Sequence, residues 1–198
     1  MTHEEVLDLF RHSGALLEGH FKLSSGLHST GYLQCALVLQ DPARAEALGA
    51  ALGAMLKTYE ANVVLSPALG GLIIGHEVAR ALGGGSAAVG NLAVRAIFVE
   101  RVEKTLTLRR GFTLAPSDRV VVIEDVVTTG LSTRETIDAA KAYGATIVAA
   151  GSIIDRNGKQ DLGVPYHALS TLVLPTYQPD GCPMCAAGSP VTKPGSRT

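Results

Sequence analysis

Two adjacent carboxylates, Glu124 and Asp125, close an apolar run from Val120 to Ile123 and stand directly ahead of Val126, Val127, Thr128, Thr129, Gly130, Leu131 and Ser132. A strand that ends this way delivers its last side chains to the carboxyl edge of a sheet, where open α/β folds bind ligands. The backbone N–H groups of Thr128 to Ser132, the two threonine hydroxyls and the positive end of a following helix can converge on a phosphate dianion. The acid pair beside them can accept hydrogen bonds from two vicinal sugar hydroxyls. Together these groups describe a ribose-phosphate site. Ser132-Thr133-Arg134-Glu135 also reads as a helix capping box, which is compatible, because a capped helix still offers free N–H groups. Paired acids at the end of a buried strand are costly without a ligand or partner.

Other phosphate-binding patterns are absent. The chain has no Gly-x-x-x-x-Gly-Lys-Ser/Thr, and the glycines of Leu69-Gly70-Gly71-Leu72-Ile73-Ile74-Gly75 do not fall in the order Gly-x-Gly-x-x-Gly, so nucleotide triphosphatase and dinucleotide readings are weak. Ser66 to Gly71 forms a second candidate, a strand running into a glycine turn whose N–H groups can approach a pyrophosphate closely.

The elements that must position these groups follow from periodicity. Residues 4–17 carry helix-spaced apolar side chains that Gly14 can interrupt, and residues 21–34 suit a short irregular hairpin. Asp41-Pro42 opens a helix running to about Tyr59, an N-cap followed by proline. Strands are expected at 62–66, 87–91, 94–99, 120–125 and 146–155, and helices at 71–82 and 133–143, the last stopped by Gly144. Residues 100–110 are polar and cationic without a clear period and read as a loop. This alternation predicts an α/β fold, a mostly parallel sheet with helices on both faces. Right-handed crossovers would bring Ser66, Val99, Asp125 and Asp155 to one rim. The tail from Pro175 is aperiodic and is expected on the surface or partly mobile.

The 198 residues suit one domain with a small appendage. A formal net charge of −1 favours neither nucleic acid nor an anionic membrane as a partner. The amino terminus lacks a basic region and apolar core, so a cytoplasmic location is expected. Cys35, Cys182 and Cys185 cannot all pair, which argues against a disulfide framework. Cys182-x-x-Cys185 is half of a zinc ligand set, and only Cys35 and scattered histidines remain to complete one. A metal site, a redox pair and an intersubunit site all stay open.

The segment from Arg119 to Ser132 resembles the phosphoribosyl-pyrophosphate signature of the type I phosphoribosyltransferase family. The family's fold is implied, with 1–40 forming a helix and substrate hood, 41–174 the core and 175–198 a Cys/Pro/Gly-rich tail. In that family the turn at Leu69, Gly70 and Gly71 is the pyrophosphate loop, often with a non-proline cis peptide; many orotate members carry lysine where this chain has Gly70. The run Phe21-Lys22-Leu23-Ser24-Ser25-Gly26-Leu27-His28-Ser29-Thr30-Gly31-Tyr32 resembles the orotate members' hood. A lysine common before its Ser-Gly is replaced by Ser24, so one cation expected near the substrate is missing, with Lys22 and the arginines as candidate substitutes; without the resemblance, Lys22 and His28 read as a solvated hairpin face. Asp155-Arg156 matches the orotate members' Asp-Arg, whose arginine sits by the substrate carboxylate, a geometry the planar guanidinium fits. From the residues alone the same pair reads as a strand-end ion pair.

The resemblance implies transfer of a phosphoribosyl group from phosphoribosyl pyrophosphate to orotate. Ser24, Ser25, Gly26, Tyr32, Thr128 and Arg156 would address orotate. Leu69 to Gly71, Arg101, Lys104, Arg109 and Glu124 to Ser132 would bind phosphoribosyl pyrophosphate, with Arg101, Lys104 and Asp125 catalytic. The 100–110 segment corresponds to the family's mobile loop, although Leu106 stands at its usual histidine. Mg²⁺ is the implied cofactor, held mainly by substrate and water with no direct protein ligand. A homodimer sharing its active site through the 100–110 loop is also implied. Two other readings remain: a purine or uracil phosphoribosyltransferase, and a non-enzymatic sensor of phosphoribosyl pyrophosphate.

Overall fold

The computed structural model describes residues 1–23, 25–83, 94–158 and 160–193. Helix α1 spans His3–His12, opened by a capping box in which Thr2 and Glu5 bond reciprocally. It stops sooner than its apolar spacing suggests, because Gly14 turns the chain at φ +68° and Leu16 already begins a strand. Strands β1 (Leu16–Lys22) and β2 (His28–Leu33) pair antiparallel, the hairpin expected at 21–34. Helix α2 (Ala36–Leu39) leads to α3 (Pro42–Leu56), where the Asp41 side chain accepts from the Ala43 and Arg44 N–H groups.

The core follows: β3 (Val63–Pro67), α4 (Gly71–Leu82), β4 (Arg95–Val102), β5 (Thr105–Leu108), β6 (Arg119–Val127), α5 (Leu131–Lys141), β7 (Thr146–Asp155) and β8 (Tyr166–Thr171). The sheet runs β5-β4-β3-β6-β7-β8, all parallel neighbours except the β4–β5 pair. The strand expected at 87–91 lies outside the described residues. Alternate strand residues divide between two cores, as a pleated strand requires. Val64, Val121, Ile123, Ala149 and Ile153 pack with α1, α3 and α4, whereas Val63, Leu65, Val120, Val122 and Ala150 pack with α5. No helix of the described residues is long and apolar enough to cross a membrane.

Three departures from the sequence reading have physical causes. Residues 100–110 are not a structureless loop. They extend β4 and return along β5, paired from Val99 with Leu108 to Val102 with Thr105. Thr-Leu-Thr-Leu alternates at period two, and Leu106 and Leu108 are buried, which offsets the polar character of the turn. Helix α5 begins at Leu131 rather than Thr133, and Ser132 does not cap it. Gly130 takes that position at φ +71°, a left-handed conformation favouring glycine. The tail is also more ordered than its composition suggests: β9 (Thr176–Tyr177) joins β2 to make a second, three-stranded sheet, and short α6 (Pro183–Ala186) follows.

Candidate functional site

The rim at the carboxyl ends of β3, β6 and β7 gathers most of the residues singled out above. Strand β6 is buried from Val120 to Glu124, and its apolar packing on both faces fixes where the acid pair emerges. Glu124 accepts a 3.0 Å hydrogen bond from Ser132 Oγ, and Asp125 accepts one of 2.8 Å from the Val126 N–H. Burial, then the adjacent Asp125, raises Glu124 well above the usual carboxylate range, and burial also raises Asp125. No lysine or arginine among the described residues offsets this charge.

The loop between β6 and α5 is held from behind. The carbonyl of Thr128 accepts from Gln160 Nε2 at 2.7 Å and that of Thr129 from an Arg134 guanidinium N–H at 2.6 Å. Both threonines are solvent-exposed, as is Leu131, while Gly130 is buried. The N-cap residue of α5, Gly130, offers no side chain; the Leu131 N–H donates to Thr129 Oγ1 at 3.4 Å, and the first turn of the helix is suited to an anion. The Thr133 hydroxyl is buried without a partner among the described residues.

The second glycine element lies alongside. The Ala68–Leu69 peptide is cis, Leu69 is 83% exposed, and Gly71 begins α4 without a capping side chain. Gly70 sits against the acid pair, where an added β-carbon would come within 2.6 Å of Asp125 Oδ1. Two elements distant in sequence therefore meet at one point.

Arg156 follows β7, and its N–H donates to Val127 O at 2.8 Å, which places it beside the phosphate loop. The strand-end ion pair with Asp155 does not form. Asp155 Oδ1 is instead taken by the Asn157 and Gly158 N–H groups and by Gln160 Nε2 at 2.9, 3.0 and 3.2 Å. Arg156 Nε is buried with no partner among the described residues, and burial alone lowers the pKa of this guanidinium. An unpaired, half-buried guanidinium on a ligand rim is suited to a carboxylate.

The cations of the 100–110 segment are placed differently. Arg101 donates to Glu135 Oε2 on α5 at 2.5 Å and to the Lys104 carbonyl at 2.9 Å. Lys104 is exposed at the hairpin turn, and Arg109 is exposed just after β5. Arg110 grips Glu100 with two 2.8 Å bonds. The structure therefore does not bring Arg101, Lys104 and Arg109 together with the acid pair as a cluster.

In the β1–β2 hairpin, Tyr32 packs on Phe21 with ring centroids 6.1 Å apart, and the exposed Ser25 and half-buried Gly26 lie in the turn between the strands. Ser24 lies outside the described residues. His28, expected on a solvated face, is buried against His20, whereas Lys22 is exposed. Just beyond β2, burial and then the Asp125 and Glu124 charges push the Cys35 thiol well up, which puts the hood's end behind the acid pair. Sequence reasoning did not single out Gln160 or Arg134 as loop-holding residues. Gln160 carries no motif, and Arg134 reads only as part of a helix start.

Comparison with known proteins matches residues 37–167 to the phosphoribosyl transferase domain, the class that this rim and fold define. Over nearly its whole length the chain is similar to curated proteins of one kind. It is 50% identical over 196 residues to an orotate phosphoribosyltransferase of Carboxydothermus hydrogenoformans, covering 98% of this chain and 97% of that one. It is 54% identical over 201 residues to the Erythrobacter litoralis orotate phosphoribosyltransferase, covering 100% and 99%. The chain belongs to the orotate phosphoribosyltransferase family. The fold is also that of the solved orotate phosphoribosyltransferase of Aeropyrum pernix, with TM-score 0.66, 24% identity and coverage of 84% and 93%. The Mycobacterium tuberculosis orotate phosphoribosyltransferase in complex with 5-phospho-alpha-D-ribosyl 1-diphosphate gives TM-score 0.65 at 20% identity, covering 86% and 96%.

Proposed function

We propose that this chain transfers the 5-phosphoribosyl group from phosphoribosyl pyrophosphate to orotate, giving orotidine 5′-monophosphate and pyrophosphate in pyrimidine synthesis. The carrying observation is the Glu124–Asp125 pair, raised by burial beside a helix start without a capping side chain, with Arg156 nearby, whose buried Nε has no partner among the described residues. Full-length similarity to orotate enzymes supports the choice of base.

The ribose 5-phosphate would sit on the N–H groups and hydroxyls of Thr128 to Ser132, where a dianion complements the helix end. Glu124 and Asp125 would accept the two ribose hydroxyls and favour positive charge as it develops on the sugar. Leu69, Gly70 and Gly71 would offer backbone N–H groups to the pyrophosphate. Arg156 would pair with the orotate carboxylate, and the hood residues Ser24, Ser25, Gly26 and Tyr32 would cover the ring together with Thr128. A ring nitrogen of orotate then bonds to C1 as the C1–O bond to pyrophosphate breaks, through an oxocarbenium-like transition state, its N–H proton passing to the departing pyrophosphate or to water. Positioning and charge complementarity supply the rate.

A divalent cation fits this rim, since the buried Glu124 and the partly buried Asp125, both pushed upward, have no cationic side chain against them among the described residues. Mg²⁺, bound mainly through substrate and water, would neutralise charge on the leaving pyrophosphate. Arg101, Lys104 and Arg109 would add positive charge once the β4–β5 hairpin closes over a site, and in our reading that site belongs to the second subunit of a cytoplasmic homodimer. An ultraviolet assay of orotate consumption with phosphoribosyl pyrophosphate, run with and without Mg²⁺, tests the reading. Metal-dependent loss of orotate is expected. Turnover of a purine or uracil in preference to orotate, or of no base at all, would overturn it.

A further inference from the structure

We propose that His20, His28, Cys182 and Cys185 form a structural zinc site that staples the tail to the hood. It stands apart from the catalytic reading and does not depend on it. The four donor atoms all lie within 4.8 Å of one another, although His20 and Cys182 are separated by 162 residues. His20 Nε2 is 2.8 Å from His28 Nδ1, 3.6 Å from Cys182 Sγ and 3.7 Å from Cys185 Sγ; Cys185 Sγ is 3.3 Å from His28 Nδ1. A tetrahedral zinc with bonds of about 2.0–2.1 Å to nitrogen and about 2.3 Å to sulfur needs donor-to-donor edges of roughly 3.3–3.8 Å. Parting the two ring nitrogens and drawing in the widest donor pair, which lies within 4.8 Å, would complete the tetrahedron.

The surroundings select the same chemistry. His20 Nδ1 lies 2.9 Å from the Ser189 carbonyl, so this nitrogen carries the proton and leaves the Nε2 lone pair facing the cluster. Such a carbonyl partner is the usual orienting contact of a metal-bound imidazole. His20, His28 and Cys182 are buried, while Cys185 is exposed and gives a path for the ion to enter. Without an ion, four polar groups converge on one another with few hydrogens to share. Two thiolates and two imidazoles form the closed, soft donor set of structural zinc rather than the oxygen set of magnesium.

The position explains what the ion does. His20 lies on β1 and His28 on β2, flanking the hairpin tip at Ser25 and Gly26, and the cysteines bracket the start of α6. The neighbouring backbone already joins these parts, through Lys22 N–H to Thr192 O and Thr192 N–H to His20 O, both 2.8 Å. Two antiparallel strands and a two-residue β9 are a marginal sheet in isolation. A metal bond network supplies the cross-link that its small apolar area does not.

The test is metal content by mass spectrometry of the full-length protein, purified under reducing conditions from zinc-replete cells. About one zinc per chain is expected, a chelator strong enough to remove it should lower Tm, and zinc alone should restore Tm. Cobalt(II) in its place should give the intense visible bands of a tetrahedral sulfur–nitrogen site. Cys185→Ser, at an exposed position where folding should survive, is expected to lower bound zinc at least tenfold, and His28→Ala should do the same. Cys35→Ala should keep the metal. The proposal is overturned if the folded wild type neither contains zinc nor takes it up on titration, if Cys182 and Cys185 are isolated as a disulfide, or if Cys185→Ser and His28→Ala bind zinc as the wild type does.

Discussion

The carboxylate of Asp125 rests against the α-carbon of Gly70, so closely that a β-carbon at position 70 would lie 2.6 Å from Oδ1 and 2.9 Å from Cγ. Gly70 has ordinary right-handed helical backbone angles, φ −55° and ψ −46°. Any residue can adopt that conformation, so what excludes a side chain is contact with the acid. The lysine that many orotate enzymes carry here is therefore incompatible with this placement of Asp125. Gly70→Ala should displace the carboxylate and lower kcat/KM about tenfold or more, a loss of about 1.4 kcal/mol of transition-state stabilisation. Unchanged kinetics in a folded Gly70→Ala variant would show that Asp125 has room to move without consequence.

Asp125→Asn should leave the fold intact and lower turnover at least about tenfold. Burial raises the carboxylate by more than its hydrogen bonds from the Val126 N–H and the Glu124 carboxyl lower it, so the fold gains little from its charge. Steady-state kinetics beside a thermal melt would separate the two effects. Wild-type turnover would remove Asp125 from the ribose role.

Arg156→Ala should weaken orotate far more than phosphoribosyl pyrophosphate. The guanidinium has no carboxylate of its own among the described residues, since Asp155 is occupied by the Asn157–Gly158 turn and Gln160. Loss of a charge-assisted pair costs about 1.5–3 kcal/mol, or roughly 10–150-fold in the KM for orotate. Equal losses for both substrates would instead mark a general distortion of the rim.

Glu124 predicts a pH dependence of stability in the ligand-free protein. Its folded pKa is raised above 4.5, so between that value and the raised one the folded state binds more protons than the unfolded state. Stability must therefore fall as pH rises through this window, since the folded state is then forced to ionise a buried acid. Glu124→Gln removes the penalty. Its Tm should match the wild type near pH 4 and exceed it at pH 9, and about 1 kcal/mol would appear as roughly 2–4 °C in a chain of this size. A Tm difference that does not grow with pH would mean that Glu124 ionises freely in the folded state.

The rim was legible in sequence because its signals are local: an apolar run, two acids and a Thr-Thr-Gly turn occupy neighbouring positions on one strand and loop. The parallel sheet followed from alternation, and the helix expected at 71–82 has those bounds. Signals that depend on distant partners were not legible. Strand β8, Tyr-His-Ala-Leu-Ser-Thr, has no clean alternation because it lies at the sheet edge with only Ser170 fully buried. The Thr105–Leu108 strand was obscured by flanking charges. His28 looked solvated because nothing local shows that His20 and the Cys182–Cys185 pair would cover it. Asp155 looked like the partner of Arg156 because adjacency in sequence says nothing about which donors reach a carboxylate first.

Within one chain Arg101 is tied to Glu135 on α5, while Lys104 stands exposed at the turn and Arg109 at the base of the hairpin. These cations do not serve their own acid pair in this arrangement, and a hairpin projecting past the end of β3 is built to reach a neighbour. We expect a two-fold homodimer in which each hairpin covers the other subunit's site. Complementation tests it. A chain carrying Asp125→Asn and one carrying Arg101→Ala with Lys104→Ala should each be inactive. Mixed and allowed to exchange, half of the dimers at random would be heterodimers, each with one site that combines an intact Asp125 and an intact hairpin. About a quarter of wild-type activity should therefore return. If native mass spectrometry confirms subunit exchange and no activity appears, the hairpin acts within its own chain. If the protein is a monomer at assay concentration yet fully active, the shared site is excluded outright.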